Sequence, residues 1–554
     1  MLLPFAVSGR APLVHDDCPA ATWTLHDSRW CSIDRHALND PFPVPDRRGR
    51  HLSEQSSRRG TGMNRSLVRK LVRIKPADDA VVAAEASGSK SLERSLGMFS
   101  LAMIGVGATI GTGIFFTMAE AVPKAGPSVI LSFLIAAVTA GLTALCYAEL
   151  SFRIPASGSS YSFAYASLGE FAAFSMAACL LLEYGLAASA TAIGWSDYLN
   201  NFLLNATGWQ VPAALHSPML VAGANGPEFH PGQFNLPPIV LCVLCVLLLI
   251  KGTSESAAVN TTMVLIKLAI LLFFVAVAIS GFDSRNLHPF FNPDNSKGLG
   301  GMAGVGAAAG TVFFSFIGLD TVATAGAEVR NPRRSVPIAI LTALGIVTVF
   351  YLLVAVAAVG AQPAAKFTGQ EAGLAVILQD VTGKAWPALV LSAGAVISVF
   401  SVTLVTIYGQ TRILYTISRD GLIPKIFHRV NPRTRTPIAN TLIVGAGVAL
   451  VAGLVDSNFL WDMVSMGTLT AFIVVSIAVP VMRRKDGNRP MSGGFRVPFG
   501  PYVVPALSIF SCLFIMKDLS ALTFKIFFVW MAAALFVYFA YGLRHSRLNT
   551  AARR

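Results

Sequence analysis

The stretch Gly107-Ala108-Thr109-Ile110-Gly111-Thr112-Gly113-Ile114-Phe115-Phe116 lies inside the uncharged segment 99–118, which is long enough to cross a bilayer. About 20 apolar residues span a ~30 Å hydrocarbon core. At that depth every backbone N–H and C=O must be satisfied within the protein, so irregular backbone is tolerated only where it lines a cavity or holds a ligand. A single Gly-x-x-x-Gly would serve equally well for close helix packing. Three glycines with a threonine between two of them favour an unwound segment whose free amides face an anionic group.

The rest of the chain sets that span among others. Of its 554 residues, 54% are hydrophobic and 13% charged, with a mean hydropathy of +0.61, which is the composition of an integral membrane protein. Apolar runs predict twelve transmembrane helices, at about 99–118, 127–150, 171–199, 236–250, 257–281, 302–327, 336–359, 387–417, 437–455, 459–482, 501–516 and 519–543. The net charge of +14 would suggest nucleic acid in a soluble protein, but here its placement matters more than its sum. With the amino terminus in the cytoplasm, the inner loops hold clusters such as Arg330, Arg333 and Arg334 and the run Arg483-Arg484-Lys485. The outer loops hold only Lys124, Arg285, Lys297, Lys366, Lys384 and Lys517. That asymmetry places both termini in the cytoplasm, as expected of an inner-membrane protein, with no nucleic-acid partner. Cys242 and Cys245 form a C-x-x-C at lipid depth with no second pair or histidine nearby, so no metal site is expected.

Residues 1–62 are polar and rich in Pro, Arg and Ser, with no periodic segment that could bury a core. They are expected to be a disordered extension or a mis-called start, because Met63 opens the basic lead-in 63–97 and nothing earlier reads as a signal peptide. In the sixth span, Phe313-Phe314-Ser315-Phe316-Ile317-Gly318-Leu319-Asp320 again places a glycine and polar groups at mid-depth. Two interrupted spans, five apart, predict an all-α 5+5 inverted repeat with broken helices 1 and 6: helices 1–5 over 98–281 and helices 6–10 over 298–482. Helices 11 and 12 (501–543) and a cytoplasmic tail (544–554) follow.

Four segments carry a resemblance: the glycine run; Tyr147-Ala148-Glu149-Leu150-Ser151-Phe152-Arg153-Ile154-Pro155-Ala156-Ser157-Gly158; Glu328-Val329-Arg330-Asn331-Pro332-Arg333-Arg334; and Gly409-Gln410-Thr411-Arg412 through Ser418-Arg419-Asp420-Gly421-Leu422. Together, over about 65–543, the chain resembles the amino acid-polyamine-organocation superfamily, most closely the bacterial branch of the cationic amino acid transporters. The long amino-terminal extension departs from that pattern.

An α-amino acid carries a carboxylate and an ammonium, so its site needs amide donors and carbonyl acceptors, and broken helices expose both. The amides of Gly111, Thr112 and Gly113 suit the carboxylate. Carbonyls around Thr109 and Ile110 and at Phe314, Ser315 and Ile317 suit the ammonium, and the resemblance implies the same assignment. It also implies that Phe314 gates the substrate, with a packed core side chain as the alternative. Ser398 and Ser401 on the eighth span line or widen the side-chain pocket. No unpaired carboxylate waits there for a guanidinium, so cationic and small neutral substrates both stay open.

Ionisable groups at mid-membrane are functional candidates. Lys267 lies about 15 Å inside the fifth span, too deep to snorkel to water. Burial disfavours its charged form, which makes it a candidate carrier of a coupling proton. The resemblance implies that it stands where sodium sits in sodium-coupled relatives. Glu183 is expected to neutralise Lys267, hand it protons, or pair with it structurally. Asp320 is read as a cap for the inner half of helix 6, and Glu149 as a structural or gating group. The expected function is a non-enzymatic, proton-coupled amino acid permease without cofactor. An exchanger of the same fold and a non-transporting sensor are the alternatives. A monomer is compatible with this, and the oligomeric state stays open.

Overall fold

The computed structural model describes residues 71–75, 97–111, 113–154, 158–223, 226–251, 257–293, 300–324, 329, 331–370, 372–434, 436–485 and 495–551. Thr112, residues 1–62 and most of the lead-in 63–97 lie outside them. The described chain is helical apart from one short hairpin, β1 (Leu220–Gly223) antiparallel to β2 (Gly226–Phe229). Eight helical segments are long and apolar enough to cross a membrane, and five shorter apolar helices accompany them, including Met98–Thr109 and Leu236–Lys251.

The first expected span is two helices, α1 (Met98–Thr109) and α2 (Thr117–Ala125). α3 (Val129–Arg153), α4 (Ser159–Ser167) and α5 (Glu170–Thr207) follow. At 1.5 Å per residue α5 is about 57 Å long, well beyond the hydrocarbon, and stops at Gly208 in the left-handed conformation. After the hairpin come α6 (Leu236–Lys251) and α7 (Ala257–Ser280). The sixth expected span is again divided, into α8 (Gly301–Phe313), a single 3-10 turn at Phe314–Phe316, and the short α9 (Thr321–Thr324). The remainder is α10 (Pro332–Ala361), α11 (Gly373–Thr382), α12 (Ala385–Arg419), α13 (Ile438–Leu454), α14 (Ser457–Lys485), α15 (Val503–Met516) and α16 (Ala521–Val537), followed by short helical turns to Ala551.

Small residues set the packing, as expected where lipid offers no hydrophobic drive between helices. α3 places the fully buried or nearly buried Ala136, Ala140 and Ala144 one turn apart against α10, which answers with the buried Ala339 and Ala343. α5 runs between α12 and α14. Its Gly194 gives room to the Phe116 ring, since a Cβ there would lie 2.5 Å from that ring. Where α3 leaves the membrane, the buried Glu149 accepts from Arg483 Nε (2.8 Å) and Nη2 on α14, from Arg153 Nε (3.1 Å) and from the Val497 amide (2.9 Å). A carboxylate held by two guanidiniums and an amide has its desolvation cost offset. Glu149 therefore locks α3 to α14 at one membrane face, away from the helix breaks.

Candidate substrate site

α1 stops where its sequence can no longer stay helical. The last α-helical bond runs from the Ile110 amide to Val106 O (2.8 Å), and Ile110 turns extended. Gly111 then takes φ +119°, a conformation closed to ordinary L-residues. The chain recovers when Gly113 C=O accepts from the Phe116 (2.8 Å) and Thr117 (2.9 Å) amides and α2 begins. Among the described residues the amides of Gly111 and Gly113 donate to no protein acceptor. The third expected donor, the amide of Thr112, lies outside the described residues.

The second break lies against the first. Ile317 is extended, and Gly318 at φ +108° brings the chain so close to α1 that a Cβ would stand 2.8 Å from Ala108 O. Gly113 is equally tight, because a Cβ there would come within 2.1 Å of Ser315 Oγ. Ser315 Oγ also meets Thr117 Oγ1 at 3.1 Å. From α12, Ser398 Oγ and Val402 lie beneath Gly111, 3.3 and 3.0 Å from the position of a Cβ. Ser398 Oγ is buried with no hydrogen-bond partner, and so is the indole N–H of Trp461 on α14. Buried polar groups left unpaired in a native fold demand an explanation, and a ligand that uses them is one. Trp461 packs edge-on against Phe314 at 4.4 Å between centroids and tilted against Phe116 at 5.9 Å. Phe314 is fully buried in this aromatic cover. Ser401 is buried on the same helix as Ser398.

Lys267 reaches the break from α7: its ammonium donates to Gly107 O at 3.0 Å, and the residue is only 2% exposed. In an unbroken helix that carbonyl would accept from the Gly111 amide, four residues on. The break thus frees one donor for a ligand and one acceptor for Lys267. The expected partnership with Glu183 is not seen: among the described residues no ion pair joins the two. Glu183, 2% exposed on α5, sits instead against the Thr468 hydroxyl of α14 and in the field of Asp320. Asp320 precedes α9, and its carboxylate accepts from Tyr184 Oη at 2.8 Å and from the Thr321 amide; the third amide of that turn, Ala323, instead donates to the Asp320 backbone carbonyl at 2.9 Å.

Three expected acceptors are already engaged. Phe314 C=O accepts from the Ile317 amide (3.2 Å), and Thr109 C=O from Tyr351 Oη (2.9 Å), which also lies 2.8 Å from Ser315 C=O. Tyr351, on α10 and fully buried, thus bridges both helix breaks with a single hydroxyl hydrogen. Sequence reasoning misses it and Trp461 because an aromatic residue in an apolar span carries no periodic signal of its own. Tyr351→Phe removes the bridge and keeps the ring, so we expect substrate affinity to fall about tenfold, the worth of one net buried hydrogen bond of about 1.4 kcal/mol. Equilibrium binding to purified protein checks this, with unchanged affinity as the contrary result. Among the described residues no group of three His, Cys, Asp or Glu is placed to hold a metal.

Residues 96–542 match the family model described as amino acid permease, a stretch that includes both broken helices and every candidate site residue. The chain is 40% identical over 477 residues to the branched-chain amino acid permease BcaP of Bacillus subtilis, covering 86% of this chain and 98% of that one. It is 41% identical over 465 residues to the methylthioribose transporter of the same organism, covering 84% and 96%. It is 34% identical over 438 residues to human cationic amino acid transporter 4, covering 77% of this chain and 65% of that one. With paired helix breaks, free glycine amides and these matches, the chain belongs to the amino acid permease family, as a multi-pass membrane protein of the superfamily that includes the cationic amino acid transporters.

Proposed function

We propose that this protein imports neutral α-amino acids with aliphatic side chains across the plasma membrane by alternating access, coupled to protons, with both termini in the cytoplasm. Twelve spans in a 5+5 inverted repeat would put the site between helices 1 and 6. The observation that carries the reading is the pair of broken helices in contact at Gly113–Ser315 and Ala108–Gly318, with the Gly111 and Gly113 amides unspent. Those amides and Ser398 Oγ suit the substrate carboxylate, and carbonyls of the two breaks, Ile110 and Ile317 among them, suit its ammonium.

The substrate class follows from what surrounds Gly111 and Phe314. Val402, Trp461, Phe116 and Phe314 form an apolar cover, with Ser398 and Ser401 as small polar groups. The buried carboxylates of Glu183 and Asp320 are already placed against Thr468 and Tyr184. A guanidinium or ammonium side chain would thus enter an apolar pocket unpaired, at a cost of several kcal/mol. Relatives named for branched-chain amino acids point the same way.

Thermal unfolding of the purified protein with each of twenty amino acids and with methylthioribose tests the reading. A ligand at 100 times its Kd stabilises by about 2.7 kcal/mol. We expect leucine, isoleucine and valine to raise Tm, and arginine and lysine to leave it unchanged. Stabilisation by arginine alone overturns the substrate class. Stabilisation by methylthioribose alone overturns the amino acid reading.

A further inference from the structure

Behind the helix 6 break, on the side away from Gly111, lies a second polar feature that substrate binding does not use. A cavity of about 10 Å³, at the lower limit for one water molecule, is lined by Asp320 and Tyr147 and otherwise by apolar side chains such as Leu319 and Phe472. Beyond it, Tyr147 Oη lies 2.5 Å from Ser160 Oγ, which lies 3.5 Å from Ser159 Oγ at the start of α4. One turn further along α3, Ser151 Oγ is buried with no hydrogen-bond partner. Tyr147 is 4% exposed and Ser160 fully buried. These hydroxyls lead from the cavity beside Asp320 to the start of α4, where Ser159 and Ser160 are themselves buried.

We propose that Asp320 is a proton-binding site, and that water in this cavity, Tyr147 and Ser160 carry the proton between Asp320 and the membrane face where α4 begins. The inference rests on the proton-coupled reading and extends it with a path. In the release direction, the protonated carboxyl gives its proton to the water oxygen. The water passes one proton to Tyr147 Oη while that hydroxyl gives its own to Ser160 Oγ, and Ser160 passes its own by way of Ser159 Oγ to solvent water, which becomes hydronium. Each hydroxyl gains one proton and loses one, so within the protein only Asp320 changes charge.

The groups facing Asp320 fit this role. From α5 come Tyr184, which donates to it, and the buried Glu183. From α3 comes Tyr147. Arg483 and Arg153 are paired with Glu149, and Lys267 donates to Gly107 O. The Tyr147 ring packs edge-on against Phe163 (6.0 Å) and Phe472 (5.7 Å), so the hydroxyl can be removed without disturbing the ring's contacts.

The test uses the full chain in proteoliposomes, with leucine uptake driven by an imposed pH gradient and leucine counterflow at symmetric pH. Counterflow cycles the substrate without net proton movement, so the ratio of driven uptake to counterflow isolates the path. In Tyr147→Phe and in Ser160→Ala we expect that ratio to fall about tenfold or more, in the range of a lost proton-transfer group. Ratios within about twofold of the parent in both variants overturn the path. Should Tyr147→Phe lose counterflow as well, its hydroxyl is structural and the Ser160→Ala ratio alone decides. A parent chain with counterflow but no gradient-driven uptake overturns the proton-coupled reading itself, and the path with it.

Discussion

Valine at position 113 abolishes amino acid binding while the protein still inserts in the membrane. The Cβ alone would stand 2.1 Å from Ser315 Oγ and 2.5 Å from Ser315 Cα. The second of these contacts is backbone and cannot rotate away, so the two breaks must separate. Separation removes the Gly113 amide from its place opposite the second break and disrupts the pairing that aims both helix ends at one ligand. Valine at Gly111 acts differently: φ +119° is closed to a β-branched residue whatever the space around it. Loss of two charge-assisted hydrogen bonds of roughly 1.5–3 kcal/mol each lowers affinity by about a hundredfold or more. Equilibrium binding on detergent-purified variants, with monodispersity as the check on folding, measures it. Unchanged affinity in both variants would place the carboxylate elsewhere.

Lys267→Met is expected to collapse uptake driven by a pH gradient while leucine binding survives. Methionine keeps the length and the apolar stem but cannot donate to Gly107 O, where Lys267 now sits at 3.0 Å. That contact ties α7 to the last turn of α1, and a lysine there alternates between an ammonium holding the carbonyl and a neutral amine that lets α1 move. If the methionine variant still concentrates leucine in response to the gradient, Lys267 is not the carrier and the exchanger reading gains. Glu183→Gln leaves the Lys267 contact in place, because Glu183 faces Thr468 and Asp320. Its effect is therefore expected on the pH dependence of uptake, and to be milder.

Membrane residence, the helical class and both helix breaks are determined by the sequence, because each has a local physical cause. A bilayer leaves an apolar run only the helix, and a glycine at mid-depth marks where that helix can yield. Of the glycines at the breaks, Gly111 and Gly318 take positive φ. Lys267, expected far inside an apolar helix, is 2% exposed. Only the tertiary structure decided partners. A helix 1 carbonyl is the partner expected for Lys267, but that it is Gly107 O came from the fold; Tyr351 closes the Thr109 carbonyl from a helix 242 residues further along, and Trp461 arrives from α14 to cover Phe314. Such contacts join residues far apart in the chain, through side chains that look alike in any apolar span. Spacing along one helix fixes which face a residue occupies, whereas its neighbour depends on how that helix is rotated and set in depth against another, and packing of small residues between helices settles that.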